Sequence, residues 1–254
     1  MHENVNDSWL RRFGPPLDSG MRLICFPHAG GAASAYVSLA RALAPDVEVL
    51  GVQYPGRQDR RHEAPVEDVN RLADLIAAAL PADPARPYAL FGHSMGAVVA
   101  YEVALRLTRD GRPDPVRFFA SGRGAPSLGP GSSDGLRGDA ELAAEMRRLG
   151  GSRGVLDDPE LMAMAMPALR SDYRALGAYS WATAQPLTCP VSVLIGDADP
   201  LVTPDEAGTW LDHAKSGGTL RVFPGGHFYL DGLVRDVADA IRTDLQLAAG
   251  FAPA

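Results

Sequence analysis

Ser94, Asp199 and His227 are residues whose types and order along the chain could together perform nucleophilic chemistry. A serine hydroxyl is a weak nucleophile at neutral pH, so it needs a base that is itself oriented by an acid. Ser94 is the central residue of GHSMG at positions 92–96, an instance of the pattern G-x-S-x-G. Between a strand and a helix, this pattern forces a turn so sharp that the serine is strained at a helix N-terminus. The pattern therefore predicts that Ser94 carries an acyl group.

The candidate acid and base follow the serine in the order that G-x-S-x-G enzymes use, which is serine, acid, histidine. Asp197 and Asp199 come at the end of one apolar run, and His227 follows two glycines at the end of the next. Asp199 lies further along its loop and can reach back toward the histidine, so it is the preferred acid. Asp197 is the alternative, and we expect it to brace the loop through backbone hydrogen bonds.

Backbone N–H groups near Ser94 are expected to stabilise the negative charge of a tetrahedral intermediate. One donor should be the N–H of Met95, directly after the nucleophile. The second should come from the loop after an early strand, residues 26–31, where Ala29 precedes two glycines. His28 in that loop and His93 in the GHSMG turn are expected to be structural.

Short apolar runs alternate with helical stretches along the chain, which predicts an open, mostly parallel α/β sheet. Several runs are apolar at successive positions, as in strands covered by helices on both faces. Thr203 and Glu206 predict a capping box at one helix start. The predicted strands are 22–26, 47–52, 88–91, 116–121, 191–195 and 220–223. The predicted helices are 33–44, 66–80, 97–109, 205–214 and 234–247.

Residues 127–184 interrupt this alternation. A loop rich in Gly, Pro and Ser (127–138) is followed by two helical stretches, 140–149 and 159–179, without a strand signal. Two helices between strands predict a lid over the strand ends, inserted into a single domain of residues 1–254. Ordinary crossover helices of unusual length are the alternative.

The composition restricts the classes of protein that fit. The chain has 254 residues, of which 46% are hydrophobic and 22% charged, as in a soluble globular enzyme. A net charge of -7 without a basic stripe argues against nucleic acid as a partner. No run of about 18 apolar residues and no signal-peptide pattern is evident, so we expect a cytoplasmic protein without membrane contact. A monomer is the default expectation, because the sequence does not indicate the oligomeric state.

The cysteines and the remaining ligand-type residues indicate neither a bridge nor a metal site. Cys25 and Cys189 both lie in apolar runs, and we expect two buried free thiols in preference to a disulfide. No cluster with the spacing of metal ligands is evident. We therefore expect no bound metal.

Several segments together resemble the type II thioesterases, which are stand-alone editing enzymes of polyketide and non-ribosomal peptide synthesis. The similarity extends over about residues 9–245. Its most discriminating parts are PHAGG and YPGR, because the whole superfamily shares G-x-S-x-G. The segments that carry it are WLRRF (9–13), CFPHAGG (25–31), SAY (34–36), QYPGR (53–57), GHSMG (92–96) and GGH (225–227).

The resemblance implies an α/β-hydrolase fold and a substrate held as an acyl thioester on the phosphopantetheine arm of an acyl or peptidyl carrier protein. Hydrolysis would release stalled groups from a synthase without a cofactor. The insert after Ser127 would be a mobile lid over the phosphopantetheine channel. The implied triad and oxyanion donors are Ser94, Asp199, His227, Ala29 and Met95.

The charges bear on how a carrier protein could dock. Carrier proteins are typically acidic, and this chain is acidic too, so a local arginine patch would have to compensate. Arg57, Arg60 and Arg61 are candidates for such a patch. A solvated charged loop is the slightly favoured alternative.

Three other functions remain open from the residues alone. A carboxylesterase or lipase acting on small oxygen esters would use the same chemistry, and only PHAGG and YPGR speak against it. An acyltransferase would pass the acyl group to a nucleophile other than water. A non-catalytic binding protein of this fold would have no need for all of Ser94, Asp199 and His227.

Overall fold

A computed structural model describes residues 8–17, 20–81, 86–151, 157–180 and 185–249, whose strands form one seven-stranded sheet. The strands are β1 (Leu10–Arg12), β2 (Met21–Phe26), β3 (Val47–Val52), β4 (Tyr88–His93), β5 (Arg117–Ser121), β6 (Val191–Gly196) and β7 (Gly218–Phe223). Their order across the sheet is β1-β3-β2-β4-β5-β6-β7. β1 runs antiparallel to β3, and the other neighbouring pairs are parallel.

The helices lie between the strands as the sequence predicts. They are α1 (Val37–Leu43), α2 (Val69–Ala79), α3 (Met95–Arg109), α4 (Asp139–Leu149), α5 (Pro159–Ala178), α6 (Pro204–Gly208), α7 (Tyr229–Gly232) and α8 (Val234–Ala249). The short strand β1 and the short helix α7 were not predicted. The predicted α/β architecture is otherwise confirmed.

Two predicted helices are partly 3-10 in character. The predicted helix 33–44 begins with the 3-10 turn Ala33–Tyr36, and the predicted helix 205–214 continues after α6 as the 3-10 turn Thr209–His213. Gly208 and Thr209, both poor helix formers, mark the second change.

The predicted capping box is present at the start of α6. The N–H of Glu206 donates to the Thr203 hydroxyl at 3.3 Å, and the N–H of Thr203 donates to Glu206 Oε2 at 2.8 Å. Two otherwise unpaired donors of the first turn are thereby satisfied, which fixes where the helix begins.

Core residues cover both faces of the sheet, which explains the continuous apolar runs. In β5, Phe118 packs in the cluster that contains α2 and α3, while its neighbour Phe119 packs in the cluster that contains α1 and α8. Successive side chains of a strand point to opposite faces, so both must be apolar when helices cover both.

The two helices predicted after β5 are present as α4 and α5. The side chain of Asp158 accepts hydrogen bonds from the N–H groups of Glu160 and Leu161, at 2.8 and 3.2 Å, and so caps α5. Residues 152–156 and 181–184 of the predicted insert lie outside the described residues. That the insert acts as a lid within a single domain stays a prediction.

Both cysteines are buried and neither forms a bridge. Across the ranges that the structure describes, no helix combines the length and apolar character needed to cross a membrane.

Candidate active site

Ser94 occupies the tight connection between β4 and α3. Its backbone has φ 56° and ψ -120°, the left-handed side of conformational space that a residue with a side chain seldom adopts. The N–H of Ser94 donates to the carbonyl of Ser121, at the end of β5, at 2.8 Å. The sharp turn predicted from GHSMG is therefore present, and it is tied to the neighbouring strand.

The two glycines of this turn allow contacts that no side chain would permit. A Cβ at Gly92 would lie 2.3 Å from the carbonyl oxygen of Gly96. A Cβ at Gly96 would lie 2.0 Å from the carbonyl oxygen of Phe26, at the end of β2. α3 can thus start directly against β4 and against the loop that follows β2.

His227 and Asp199 lie together beyond the ends of β7 and β6. His227 Nδ1 is 2.8 Å from Asp199 Oδ2, and their side chains are 1% and 0% exposed. The other carboxylate oxygen of Asp199 accepts the N–H of Leu201 at 2.9 Å, which holds the side chain in place. With Nδ1 donating to the carboxylate, a neutral His227 presents the lone pair of Nε2.

Asp197, the alternative acid, has a different position. It is exposed, and its Oδ1 accepts the N–H of Gly225 at 2.8 Å. This bond braces the loop before His227, as the sequence predicted. The structure therefore brings Asp199, not Asp197, to the histidine.

His93 connects the serine turn to His227 through ring packing. The centroids of the His93 and His227 rings are 4.9 Å apart. His93 Nδ1 lies 2.9 Å from Ser121 Oγ, which in turn lies 2.7 Å from the Tyr229 hydroxyl. Burial, and then the nearby His227 and His28, lower the pKa of His93 well below its usual range. His93 is thus a neutral, structural ring, as expected.

The predicted oxyanion loop forms a tight turn beside Ser94. The N–H of Gly31 donates to the carbonyl of His28 at 2.9 Å, and Gly30 has φ 74°, as the third position of a type II turn requires. Ala29 lines the same cavity as Ser94. Burial, then His227 and Arg57, lower the pKa of His28 to about 3, so this ring is neutral too.

Met95 is the first residue of α3 and is fully buried. An N–H in the first turn of a helix has no acceptor within the helix. The N–H of Met95 is therefore suited to bind a developing negative charge beside Ser94.

The QYPGR segment (53–57) holds the oxyanion loop in place. This role was not predicted from the sequence. Two of the segment's polar side chains, Tyr54 and Arg57, bond to that loop, and Gln53 bonds to Ala33, where the following 3-10 turn begins. Gln53 Oε1 accepts the N–H of Ala33 at 2.9 Å, the Tyr54 hydroxyl donates to the carbonyl of Pro27 at 3.2 Å, and Arg57 Nη1 donates to the carbonyl of Gly31 at 3.1 Å.

The arginines considered for docking are mostly unavailable. Arg57 and Arg60 are each only 7% exposed, whereas Arg61 is exposed. Arg60 donates to Glu63 at 2.7 Å, and its guanidinium lies 4.2 Å from the centroid of the Trp9 ring. Because Arg57 and Arg60 are buried, neither can belong to a docking patch or to a solvated loop. Both sequence-based interpretations are therefore wrong for these two arginines.

A cavity of about 270 Å³ adjoins Ser94. Tyr173 and Leu176 of α5 form part of its wall, so α5 lies over the carboxyl ends of the strands. Arg123 and Asp134 also line it and are joined by a bond of 3.0 Å between Nη1 and Oδ1. The cavity is thus partly polar.

Within the part of the chain that the structure describes, no group of three His, Cys, Asp or Glu side chains could hold a metal ion.

The sheet order, the turn after β4 and the acid and base after β6 and β7 define an α/β-hydrolase fold. The thioesterase domain family matches residues 21–245, and the chain belongs to this family. The expected resemblance to thioesterases is thereby confirmed.

Individual relatives indicate which thioesterases the chain is similar to. The chain is 46% identical over 241 residues to the probable cadicidin biosynthesis thioesterase of Streptomyces griseus, covering 93% of this chain and 66% of that protein. It is 43% identical over 244 residues to thioesterase PikA5 of Streptomyces venezuelae, covering 95% and 87%. It also resembles the structure of the type II thioesterase BorB from the borrelidin biosynthetic cluster, with 45% identity, a TM-score of 0.86, and coverage of 94% and 98%. The predicted similarity to type II thioesterases is confirmed.

Proposed function

We propose that this chain is a serine thioesterase that uses Ser94 as nucleophile, His227 as general base and Asp199 as the acid that orients the histidine. The observation that carries the proposal is the 2.8 Å bond between His227 Nδ1 and Asp199 Oδ2. This buried pair lies next to the ring of His93, the residue before the serine. Because the chain belongs to the thioesterase domain family, we infer an acyl thioester as its substrate.

The first half of the reaction forms an acyl-enzyme. The Ser94 oxygen attacks the carbonyl carbon of the thioester while His227 Nε2 takes the hydroxyl proton. The carbonyl electrons move to the oxygen, where the N–H groups of Ala29 and Met95 stabilise the charge. Collapse of the intermediate breaks the C–S bond, and the sulfur leaves with the proton from His227.

The second half repeats these steps with water. His227 takes a proton from the water as its oxygen attacks the acyl-enzyme carbonyl. Collapse of the second intermediate breaks the bond to Ser94, which recovers its proton, and releases a carboxylic acid. Asp199 stabilises the charged imidazolium in both halves but does not itself take the proton.

The substrate that we infer is an acyl group on the phosphopantetheine arm of an acyl or peptidyl carrier protein. The similarity to a thioesterase from the borrelidin biosynthetic cluster supports this inference. The biological role would be editing, in which stalled acyl groups are removed from a polyketide or non-ribosomal peptide synthase.

The cavity beside Ser94 bears on the size of the acyl group. Its volume of about 270 Å³ is small for a ligand pocket, and Arg123 and Asp134 make its wall partly polar. We infer that short acyl groups fit better than long fatty acyl chains.

The test is hydrolysis of a panel of acyl groups, each presented on a carrier protein, on free pantetheine and as a matched oxygen ester. We expect the highest kcat/KM for short acyl groups on the carrier protein and the lowest for the oxygen esters. A clear preference for the esters would reject the thioesterase proposal. Transfer of the acyl group to an added alcohol or amine, in place of release as a free acid, would indicate an acyltransferase.

A further inference from the structure

A buried ion pair joins the loop after β3 to helix α5. Arg57 Nη1 and Nη2 donate to the two carboxylate oxygens of Asp172, at 2.6 and 2.9 Å. The two side chains are only 6% and 1% exposed. A bidentate pair of this kind fixes the orientation of both groups as well as their separation.

The same two side chains hold the turn that carries Ala29 from two sides. The N–H of Gly30 donates to Asp172 Oδ2 at 2.7 Å. The carbonyl of Gly31 accepts from Arg57 Nη1 at 3.1 Å. The first bond fixes the peptide between Ala29 and Gly30, and the turn bond from the N–H of Gly31 to the carbonyl of His28 fixes the preceding peptide, which contains the N–H of Ala29. Together the two bonds restrict the direction in which the N–H of Ala29 points.

Helix α5 also contacts this turn directly. A Cβ at Gly30 would lie 2.9 Å from Cδ1 of Leu169, one helical turn before Asp172. Leu169 and Asp172 thus present one face of α5 to the turn, Leu169 by packing and Asp172 by a hydrogen bond.

We propose that Arg57 and Asp172 are positioning residues that hold the turn of residues 29–31 in the geometry that oxyanion binding needs. Because Asp172 belongs to α5, that geometry depends on α5 being seated against the turn. The inference rests on the proposed function, in which the N–H of Ala29 binds the oxyanion.

Two variants separate positioning from stability. Arg57→Lys keeps the positive charge beside Asp172, but one ammonium group cannot reproduce the forked contacts to both carboxylate oxygens and to the carbonyl of Gly31. Asp172→Asn removes the charge that Arg57 and the N–H of Gly30 share, with little change of shape.

The matched control is Glu48→Gln. Glu48 is also buried and ion-paired, with its carboxylate 3.0 Å from Arg22 Nε. It lies near the amino end of β3, whereas the turn follows the carboxyl end of β2, so the two are at opposite ends of the parallel strands. It therefore reports the effect of losing a buried charge without disturbing the oxyanion loop.

The measurements are the melting temperature, kcat and KM on an acyl-pantetheine thioester, and the rate of Ser94 labelling by a fluorophosphonate. Loss of an oxyanion donor lowers kcat by about 10²–10³-fold, so a displaced donor should lower it by about 10–100-fold. We expect that loss in Arg57→Lys and Asp172→Asn with little change in KM, and a parallel loss in labelling rate. Glu48→Gln should lower the melting temperature but leave kcat within about two-fold.

The inference is overturned if Arg57→Lys and Asp172→Asn match the kcat of Glu48→Gln, or if only KM changes. Should Asp172→Asn fail to fold, Arg57→Lys decides, because it retains the charge pair. A wild type that hydrolyses no thioester would reject the proposed function but not the positioning role. Labelling by the fluorophosphonate needs no thioester, so the labelling rates of the variants would still test that role.

Discussion

His227 Nδ1 lies 2.8 Å from Asp199 Oδ2, whereas the carboxylate of Asp197, two residues earlier, instead accepts the N–H of Gly225. Two aspartates on one loop thus have separate tasks. Asp199 bonds to His227, and Asp197 braces the loop that precedes His227.

Asp199→Asn should lower kcat by about 10⁴-fold, because the amide cannot hold the histidine in the tautomer that accepts a proton on Nε2. Asp197→Asn is the matched control and should keep kcat within about three-fold. Steady-state hydrolysis of an acyl-pantetheine thioester measures both. Equal losses in the two variants would contradict the assignment.

Ser94→Ala should lower kcat by about 10⁴-fold or more and abolish fluorophosphonate labelling. Ser132→Ala removes an exposed hydroxyl that lines the same cavity and should leave labelling intact. Intact-protein mass spectrometry after labelling gives the result for each variant. Labelling that persists in folded Ser94→Ala would place the nucleophile elsewhere.

Gly96→Ala should destabilise the fold by about 3 kcal/mol or more, since its Cβ would lie 2.0 Å from the carbonyl oxygen of Phe26. The matched control is Gly135→Ala, where no heavy atom lies within 4 Å of the new Cβ and we expect a change within about 0.5 kcal/mol. Urea denaturation of both variants measures the free energies of unfolding. Equal stabilities would show that the close approach of α3 to the oxyanion loop can relax.

The stability of the protein should fall as the pH drops below about 6.5, partly through His93. Burial and the neighbouring histidines hold the pKa of His93 well below this value in the folded state, so the ring stays neutral there. The unfolded chain then binds more protons than the folded one, and the free energy of unfolding falls by up to about 1.4 kcal/mol per pH unit for this group.

Urea denaturation between pH 7.5 and 5 checks this sign. His93→Asn should show a shallower fall than the wild type, and His62→Asn, which changes an exposed histidine, should follow the wild type. A wild type that gains stability on acidification would contradict the prediction.

Most of the sheet and the pairing of Asp199 with His227 could be predicted from the sequence. Long apolar runs identify strands covered on both faces, and the carboxyl ends of parallel strands share one edge of a sheet. β1 escaped prediction because it has three residues, two of them arginines, and lies at the end of the sheet order, next to β3.

The pairing of Arg57 with Asp172 could not be predicted for a different reason. The two residues are 115 positions apart, and Arg57 lies in a loop where an arginine is normally solvated. In the fold, α5 packs over this loop, and its Asp172 pairs with the buried arginine. The same packing makes Asp172, on a helix expected to be a lid, a contact of the oxyanion loop.

The ion pair between Arg57 and Asp172 also constrains how the sequence can diverge. Arg57 and Asp172 come from two distant stretches of chain, yet each side chain requires the other. A change at Arg57 leaves the buried carboxylate unpaired, and a change at Asp172 leaves both the guanidinium and the N–H of Gly30 without their acceptor, so either change should persist in a lineage only alongside a change at the other. Among thioesterases of this kind, positions 57 and 172 should therefore covary, and α5 should diverge more slowly at Asp172 than on its outer face.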